Sequence, residues 1–150
     1  MDTTLNNADR VRANTSVHVN RHIDEVIESR VRGYAQRSPA AISERIGQLE
    51  REWDIERMLQ FNASVASFTG LALGITQRRS WFLLPGIVLP FLFLHAVQGW
   101  CPPLPVLRKL GVRTRSEIER ERYALKALRG DFSFATPRPG AEAALQAVKA

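Results

Sequence analysis

Two side chains in or beside the apolar stretches of this sequence could do chemistry near neutral pH beyond a simple ion pair, Cys101 and His95. Cys101 is the only cysteine, so the chain can close no internal disulfide. It follows Trp100 at the end of an apolar run, near cations that could stabilise a thiolate at a membrane interface. The chemistry would be nucleophilic or sulfur-carrying. Without that chemistry, Cys101 is a small, weakly polar residue at a helix end. His95 lies inside the same apolar run, where an ionisable group is costly to bury and therefore raises a functional hypothesis. The plainer reading is a neutral imidazole bonded across to Asn62, Ser67 or Thr69. His95 and Cys101 are six residues apart, which does not put them on one helix face. With no second His or Cys nearby, no metal site is expected. Asn62 and Gln98 are the other polar groups in the apolar stretches, each able to form an interhelical hydrogen bond worth about 0.6–2 kcal/mol. His95 and Asn62 could line a polar path only if several copies assembled. The chain has no Gly-rich phosphate loop, no nucleophile elbow and no paired carboxylates. The expectation is a non-enzyme without a cofactor.

The elements that would position these groups are plain from charge. Residues 58–77 and 80–107 contain no Asp, Glu, Lys or Arg, and only Arg78 and Arg79 separate them. At about 1.5 Å per residue, helices over 58–76 and 81–100 each span close to 30 Å, the thickness of a bilayer's hydrocarbon core. The second carries Phe82, Leu83, Leu84, Ile87, Val88, Leu89, Phe91, Leu92, Phe93, Leu94 and Val97. Together these contribute about −3 to −7 kcal/mol of insertion free energy before polar penalties. The first carries Leu59, Phe61, Val65, Phe68, Leu71, Leu73 and Ile75. Their share is about −2 to −4 kcal/mol, opposed by Asn62, Ser64, Ser67 and Thr69. The first helix is expected to enter with the second as a hairpin. Trp53, Trp81 and Trp100 each fall at an expected interface, where amphipathic rings prefer to sit. Ala66, Gly70 and Gly74 form a stripe of small residues on which two helices can approach closely, whether the partner is the second helix or another subunit. Pro85 sits near the start of the second helix, where a missing N–H costs little, and Pro90 in its middle predicts a kink.

The rest of the 150 residues is polar and net basic, at +6. Lys and Arg gather before residue 58 and after 107, so the positive-inside rule puts both termini in the cytoplasm. Acids interleave with the arginines, which argues against nucleic acid as a partner. Residues 1–20 show no secretory signal. Residues 1–19 are expected to be mobile. Residues 20–57 should hold two amphipathic helices. The first is capped by Asn20, with Ile23, Val26, Ile27, Val31 and Tyr34 on one face. The second is capped by Ser38, with Pro39 first and Ile42, Ile46, Leu49 and Trp53 as its stripe. Whether it continues through Asp54–Arg57 into the membrane helix is open. Beyond Trp100, Pro102, Pro103 and Pro105 end the membrane helix, and 106–110 is a short turn closed by Gly111. Thr114 and Glu117 match a capping box for a helix over Arg115–Arg129, stopped by Gly130. Its apolar stripe is Ile118, Leu125 and Leu128 with Ala124, and its charges read as a solvated face of intrahelical pairs, with Glu117 and Glu121 offset by Arg120 and Arg122. Residues 131–150 read as a flexible tail, with a frayed helix possible over Ala141–Lys149. The three amphipathic stripes must be buried on each other, on a second subunit or on the membrane surface.

From Asp54 to Thr114 the chain resembles the YgaP-like transmembrane domain of bacterial inner-membrane proteins. The matching residues are Asp54-Ile55-Glu56-Arg57 at the entry, then Gly99-Trp100-Cys101-Pro102 at the exit, then Leu107 and Leu110-Gly111-Val112. The resemblance implies a multi-pass hairpin in the bacterial inner (plasma) membrane that self-associates. Some family members join the hairpin to a rhodanese domain that transfers sulfur through a persulfide. Here Cys101 is followed by Pro102-Pro103-Leu104 rather than an anion-cradling loop. The expectation is therefore an all-α, small integral membrane protein. It would have two transmembrane helices flanked by cytoplasmic amphipathic helices. Its partners would be the lipid bilayer, further copies of itself and a cytoplasmic protein. The alternative is a thiol or sulfur function through Cys101.

Overall fold

The computed structural model describes residues 9–132 and 140–149, and the regular structure among them is helical. In chain order the helices are α1 (Arg10–Ala13), α2 (Val17–Tyr34), α3 (Pro39–Arg51), α4 (Ile55–Thr76), a 3-10 turn (Arg79–Phe82), α5 (Leu83–Gln98), α6 (Leu104–Lys109), α7 (Arg115–Arg129) and α8 (Ala141–Lys149). The chain divides into two compact units. One combines the residues up to Ser16 with Trp53–Val112, and the other combines Val17–Glu52 with the residues from Arg113 onward.

The second unit is a helical bundle. Its apolar stripes bury on each other, because α7 packs on α2, α3 and α8 and α2 also meets α8. Ile23, Ile27, Val31, Ile42, Ile46, Leu49, Ile118, Ala124, Leu125 and Leu128 form the core, joined by Ala144 and Leu145. Each buried Ile or Leu there contributes about 1.5–3 kcal/mol. The caps follow the sequence signals. The Ser38 hydroxyl accepts from the Ala41 N–H with Pro39 in the first turn. Thr114 and Glu117 close their capping box, and Gly130 ends α7 in the left-handed region at φ 92°. Three expectations change. α2 begins at Val17, so Asn20 lies inside it rather than capping it. α8 contributes Ala144 and Leu145 to the core, so that part of the expected tail is packed. Glu117 and Glu121 are buried rather than solvated: Glu117 accepts from the Thr114 N–H in the capping box, and Glu121 faces Arg45 and Arg113. The rest of the expected tail, residues 133–139 and 150, lies outside the described residues, as do residues 1–8 of the expected mobile segment.

The first unit is built on the helical hairpin. The chain leaves helix at Glu52 and Trp53 and re-enters at Ile55, with the Asp54 carboxylate accepting from the Arg57 N–H at 2.7 Å. The entry is therefore a break rather than a continuous helix. Trp53 falls off the α3 stripe and instead meets Phe61 edge-on at 5.4 Å, with the Arg57 guanidinium over its ring. α4 packs against the 3-10 turn and α5. The small-residue stripe explains how closely. A Cβ on Gly70 would lie 2.5 Å from Pro85 Cδ, and one on Gly74 would lie 2.9 Å from the Phe82 ring. Gly70 and Gly74 thus pack inside the hairpin, on its own second helix, with Ala66 half-buried one turn earlier. The second span opens with the 3-10 turn and ends at Gln98, two residues before the expected Trp100, because Gly99 turns left-handed at φ 73°. α5 continues through Pro90.

Both arms, α4 and the stretch Arg79–Gln98, are long and apolar enough to cross a membrane. Their outward faces are bare. Phe68 and Ile75 are each 73% exposed, Leu83 and Phe93 each 67%, and Phe61, Val65, Ile87, Leu89 and Val97 are also exposed. A monomeric protein in water seldom sustains a continuous apolar surface of that extent.

Candidate functional site

The feature that gathers most polar chemistry in the hairpin unit is the exit of α5. A helix leaves its last four carbonyls without partners of its own, and at a dry interface they must be met by something else. Here each has a donor. The Gly99 N–H donates to the His95 carbonyl at 2.8 Å. Arg10 Nη1 donates to the Ala96 and Val97 carbonyls at 2.9 and 3.0 Å. Asn14 Nδ2 donates to the Gln98 carbonyl at 2.8 Å and to the Arg10 carbonyl at 2.9 Å. Gly99 is required twice, once for its backbone angle and once because a Cβ would lie 2.5 Å from Arg10 Cβ. The donors come from α1, a single turn held by the Asp9 carboxylate accepting from the Arg12 N–H at 3.0 Å. These residues fall within the segment expected to be mobile. Their sequence signal was only Asp9 before a short helical turn with one apolar residue, Val11, which is buried.

Beneath this collar lies a small core of Val11, Ile55, Leu59, Cys101 and Leu104, with Phe91, Leu107 and Val112 against it. Arg108 is 1% exposed at its edge. Its Nη1 donates to the Val112 carbonyl at 3.1 Å and its Nε to Thr15 Oγ1 at 3.2 Å, while the Thr15 hydroxyl donates to the Val11 carbonyl at 2.7 Å. Cys101 is 7% exposed among the apolar side chains, and burial pushes its thiol pKa up. That direction opposes the stabilised thiolate which its place beside cations suggests, because burial among apolar side chains penalises the charged form.

The polar groups within the arms do not meet. Gly70 against Leu84 and Pro85, and Gly74 against Phe82, fix an antiparallel register. That register carries His95 to the level of Leu59, about two helical turns from Ser67. His95 is buried, its Nδ1 has no hydrogen-bond partner, and its electrostatic neighbour is the carboxylate of Glu56. Ser67 Oγ is likewise buried without a partner. Asn62 and the Gln98 side chain are exposed on the outside of the hairpin. The expected bond from the His95 Nδ1 to Asn62, Ser67 or Thr69 is not formed: the register sets Ser67 and Thr69 well along the hairpin from it, and Asn62 is exposed.

A second polar cluster lies in the helical bundle. Glu121 is fully buried and accepts from Arg45 Nε at 3.0 Å and Nη2 at 2.9 Å, and from Arg113. Arg30 stands 3.8 Å away. Arg113 also donates to Glu52 at 2.8 Å. Burial works to lower the Arg113 pKa, but Glu52 and Glu121 outweigh it and hold the guanidinium charged. Such a network joins α3 and α7 through charges already matched to each other. Nothing in the spacing of Arg45, Glu52, Arg113 and Glu121 along the chain announces it.

Among the described residues no three His, Cys, Asp or Glu side chains come together to hold a metal ion. The arrangement at the α5 exit closes a helix end. It does not pair a nucleophile with a base. The chain matches no protein-family model, no curated protein and no solved structure.

Proposed function

We propose that this chain is a small integral membrane protein of the bacterial inner membrane, a two-span anchor that holds its helical bundle at the cytoplasmic face. The observation that carries this reading is the contrast between two surfaces. The bundle buries its apolar stripes on its own helices. The hairpin leaves Phe61, Phe68, Ile75, Leu83 and Phe93 bare on arms of membrane length. Lipid is the solvent that suits those faces. Arg57 stacked on Trp53 at the entry, and the half-exposed Trp81 and Trp100, suit the two interfaces. The loop bears only Arg78 and Arg79, so the charge bias keeps the bundle and both termini in the cytoplasm. The proposal extends to kinship with YgaP-like hairpins on the sequence of the Gly99-Trp100-Cys101-Pro102 exit alone; in the fold Gly99 turns the chain, Trp100 is exposed and Cys101 enters the small core.

Between self-association and anchoring, the packing favours anchoring. Gly70 and Gly74 are used within the hairpin, so this stripe is not left over for a second copy. The partner would then be a cytoplasmic protein that binds the bundle. Fractionation tests the reading. The protein should pellet with membranes, resist alkaline carbonate, and accept a membrane-impermeant thiol reagent from opposite sides at Ser80→Cys and Ser43→Cys. A folded, unaggregated protein in the detergent-free supernatant would end it.

A further inference from the structure

We infer that α6 is an in-plane membrane helix, whose outer face lies among the lipid headgroups and upper acyl chains of the leaflet where α5 exits. The inference rests on the membrane reading above and deepens it. α6 has two apolar faces. Leu104 and Leu107 turn inward to the small core, and Arg108 is buried with its donors on Val112 and Thr15. The opposite face is open, with Val106 59% exposed and Leu110, which caps the C-terminus of α6 and donates its N–H to the Val106 carbonyl, 74% exposed. These two are four residues apart and so share one stripe. Trp100, 41% exposed, precedes them directly after the end of α5.

Continuity with the hairpin identifies the occupant. The bare apolar surface of α5 runs through Phe93 and Val97 to its end, and the open residues resume at Trp100, Val106 and Leu110 only a few residues later. Exposed Lys109 lies about 60° around the helix from Val106, so its stem can follow the apolar stripe while its ammonium reaches lipid phosphate. The collar explains why the helix lies across the membrane rather than continuing α5. Gly99 turns the chain, Arg10 and Asn14 close the α5 carbonyls, and Leu104 and Arg108 pin α6 from beneath.

The test uses the full chain in phospholipid vesicles, with single nitroxide labels at Val106→Cys, Lys109→Cys and Leu110→Cys. The background is Cys101→Ser, accepted only where its helicity matches the parent. Labels at Phe68→Cys and Phe93→Cys report on the spans. Collision with dissolved oxygen marks lipid, and collision with a water-soluble nickel chelate marks water. Labels at 106 and 110 should favour oxygen severalfold over the label at 109, at a depth of about 5–10 Å below the headgroups. If 68 and 93 lie in lipid while 106 and 110 meet nickel freely, α6 stands in water and the inference falls with the hairpin reading intact. If neither reagent reaches 106 and 110, protein covers the face, and the inference falls in favour of a second copy. If 68 and 93 themselves meet nickel, the membrane reading fails and takes the inference with it.

Discussion

Gly70→Ala is the sharpest probe of the hairpin. The added methyl would stand 2.5 Å from Pro85 Cδ, 3.0 Å from Leu84 Cβ and 3.0 Å from the Trp81 carbonyl oxygen. Carbon atoms prefer about 3.5–4.0 Å, so the two arms must part by about 1 Å. Neither a proline ring nor a backbone carbonyl can swing aside. Overpacking of this kind costs about 1–3 kcal/mol. Alanine's better helix propensity returns about 1 kcal/mol, leaving a net loss of about 0–2 kcal/mol, toward the upper end because neither contact can yield. Gly74→Ala should cost less, since its methyl meets the side chain of Phe82, which is 40% exposed and can turn outward. Gly86→Ala meets nothing within 4 Å and should be neutral or slightly stabilising. The assay is reversible unfolding of the whole protein in mixed micelles by increasing sodium dodecyl sulfate, followed by helicity and tryptophan emission. The expected order of stability is Gly86→Ala, parent, Gly74→Ala, Gly70→Ala. A Gly70→Ala protein as stable as Gly86→Ala would refute the close packing. A Gly70→Ala effect seen only as a change of oligomeric state would move the stripe to a subunit interface.

In the bundle, Glu121→Gln removes a fully buried charge from among Arg45, Arg113 and Arg30 and should destabilise by about 3–5 kcal/mol. Chemical denaturation followed by circular dichroism measures it, and a loss under about 1 kcal/mol would mean water reaches the site. Gly47→Ala, in α3 with open space around it, should stabilise by about 0.5–1 kcal/mol in the same assay. Cys101 should react slowly with a maleimide in the folded protein and rapidly once unfolded, because it is buried and its pKa is raised. A thiol held protonated by the fold leaves stability unaffected below its ordinary range, near pH 8.5, and lowers it as pH rises through the native value. Fast native labelling at neutral pH would contradict the burial. Asp131 has a lowered pKa, chiefly through its hydrogen bond to Arg129. Its stabilisation should be present above about pH 4 and vanish as pH falls through the native value. The pair is at the surface, so Asp131→Asn should cost under about 1 kcal/mol at neutral pH and nothing in strong acid.

How much could be read in advance differs from one kind of residue to another. Residues 58–77 and 80–107 declare their helices through the absence of charge, and Ser38, Thr114 with Glu117, and Gly130 declare helix ends. These signals are local, since a cap involves residues three or four apart and an apolar run is a property of the run itself. The stripe of Gly70 and Gly74 showed that a close approach would occur, and the fold supplied Pro85 and Phe82 as its partners. Other features had no local trace. Arg10 and Asn14 reach α5 carbonyls more than eighty positions away. Glu121 meets Arg45 across seventy-six. The same antiparallel register keeps His95 from the hydroxyls that the sequence offered it. An arginine in a polar stretch looks the same whether it faces water or caps a distant helix, because its own neighbours do not record which carbonyl lies within its reach. The sequence by itself determined the long helices, the ends marked by Ser38, Thr114 with Glu117 and Gly130, and two arms of membrane length; it did not mark α1, the start of α2 or the packing of α8. Only the tertiary structure decided which polar groups meet, since those contacts depend on long-range register that no short segment encodes.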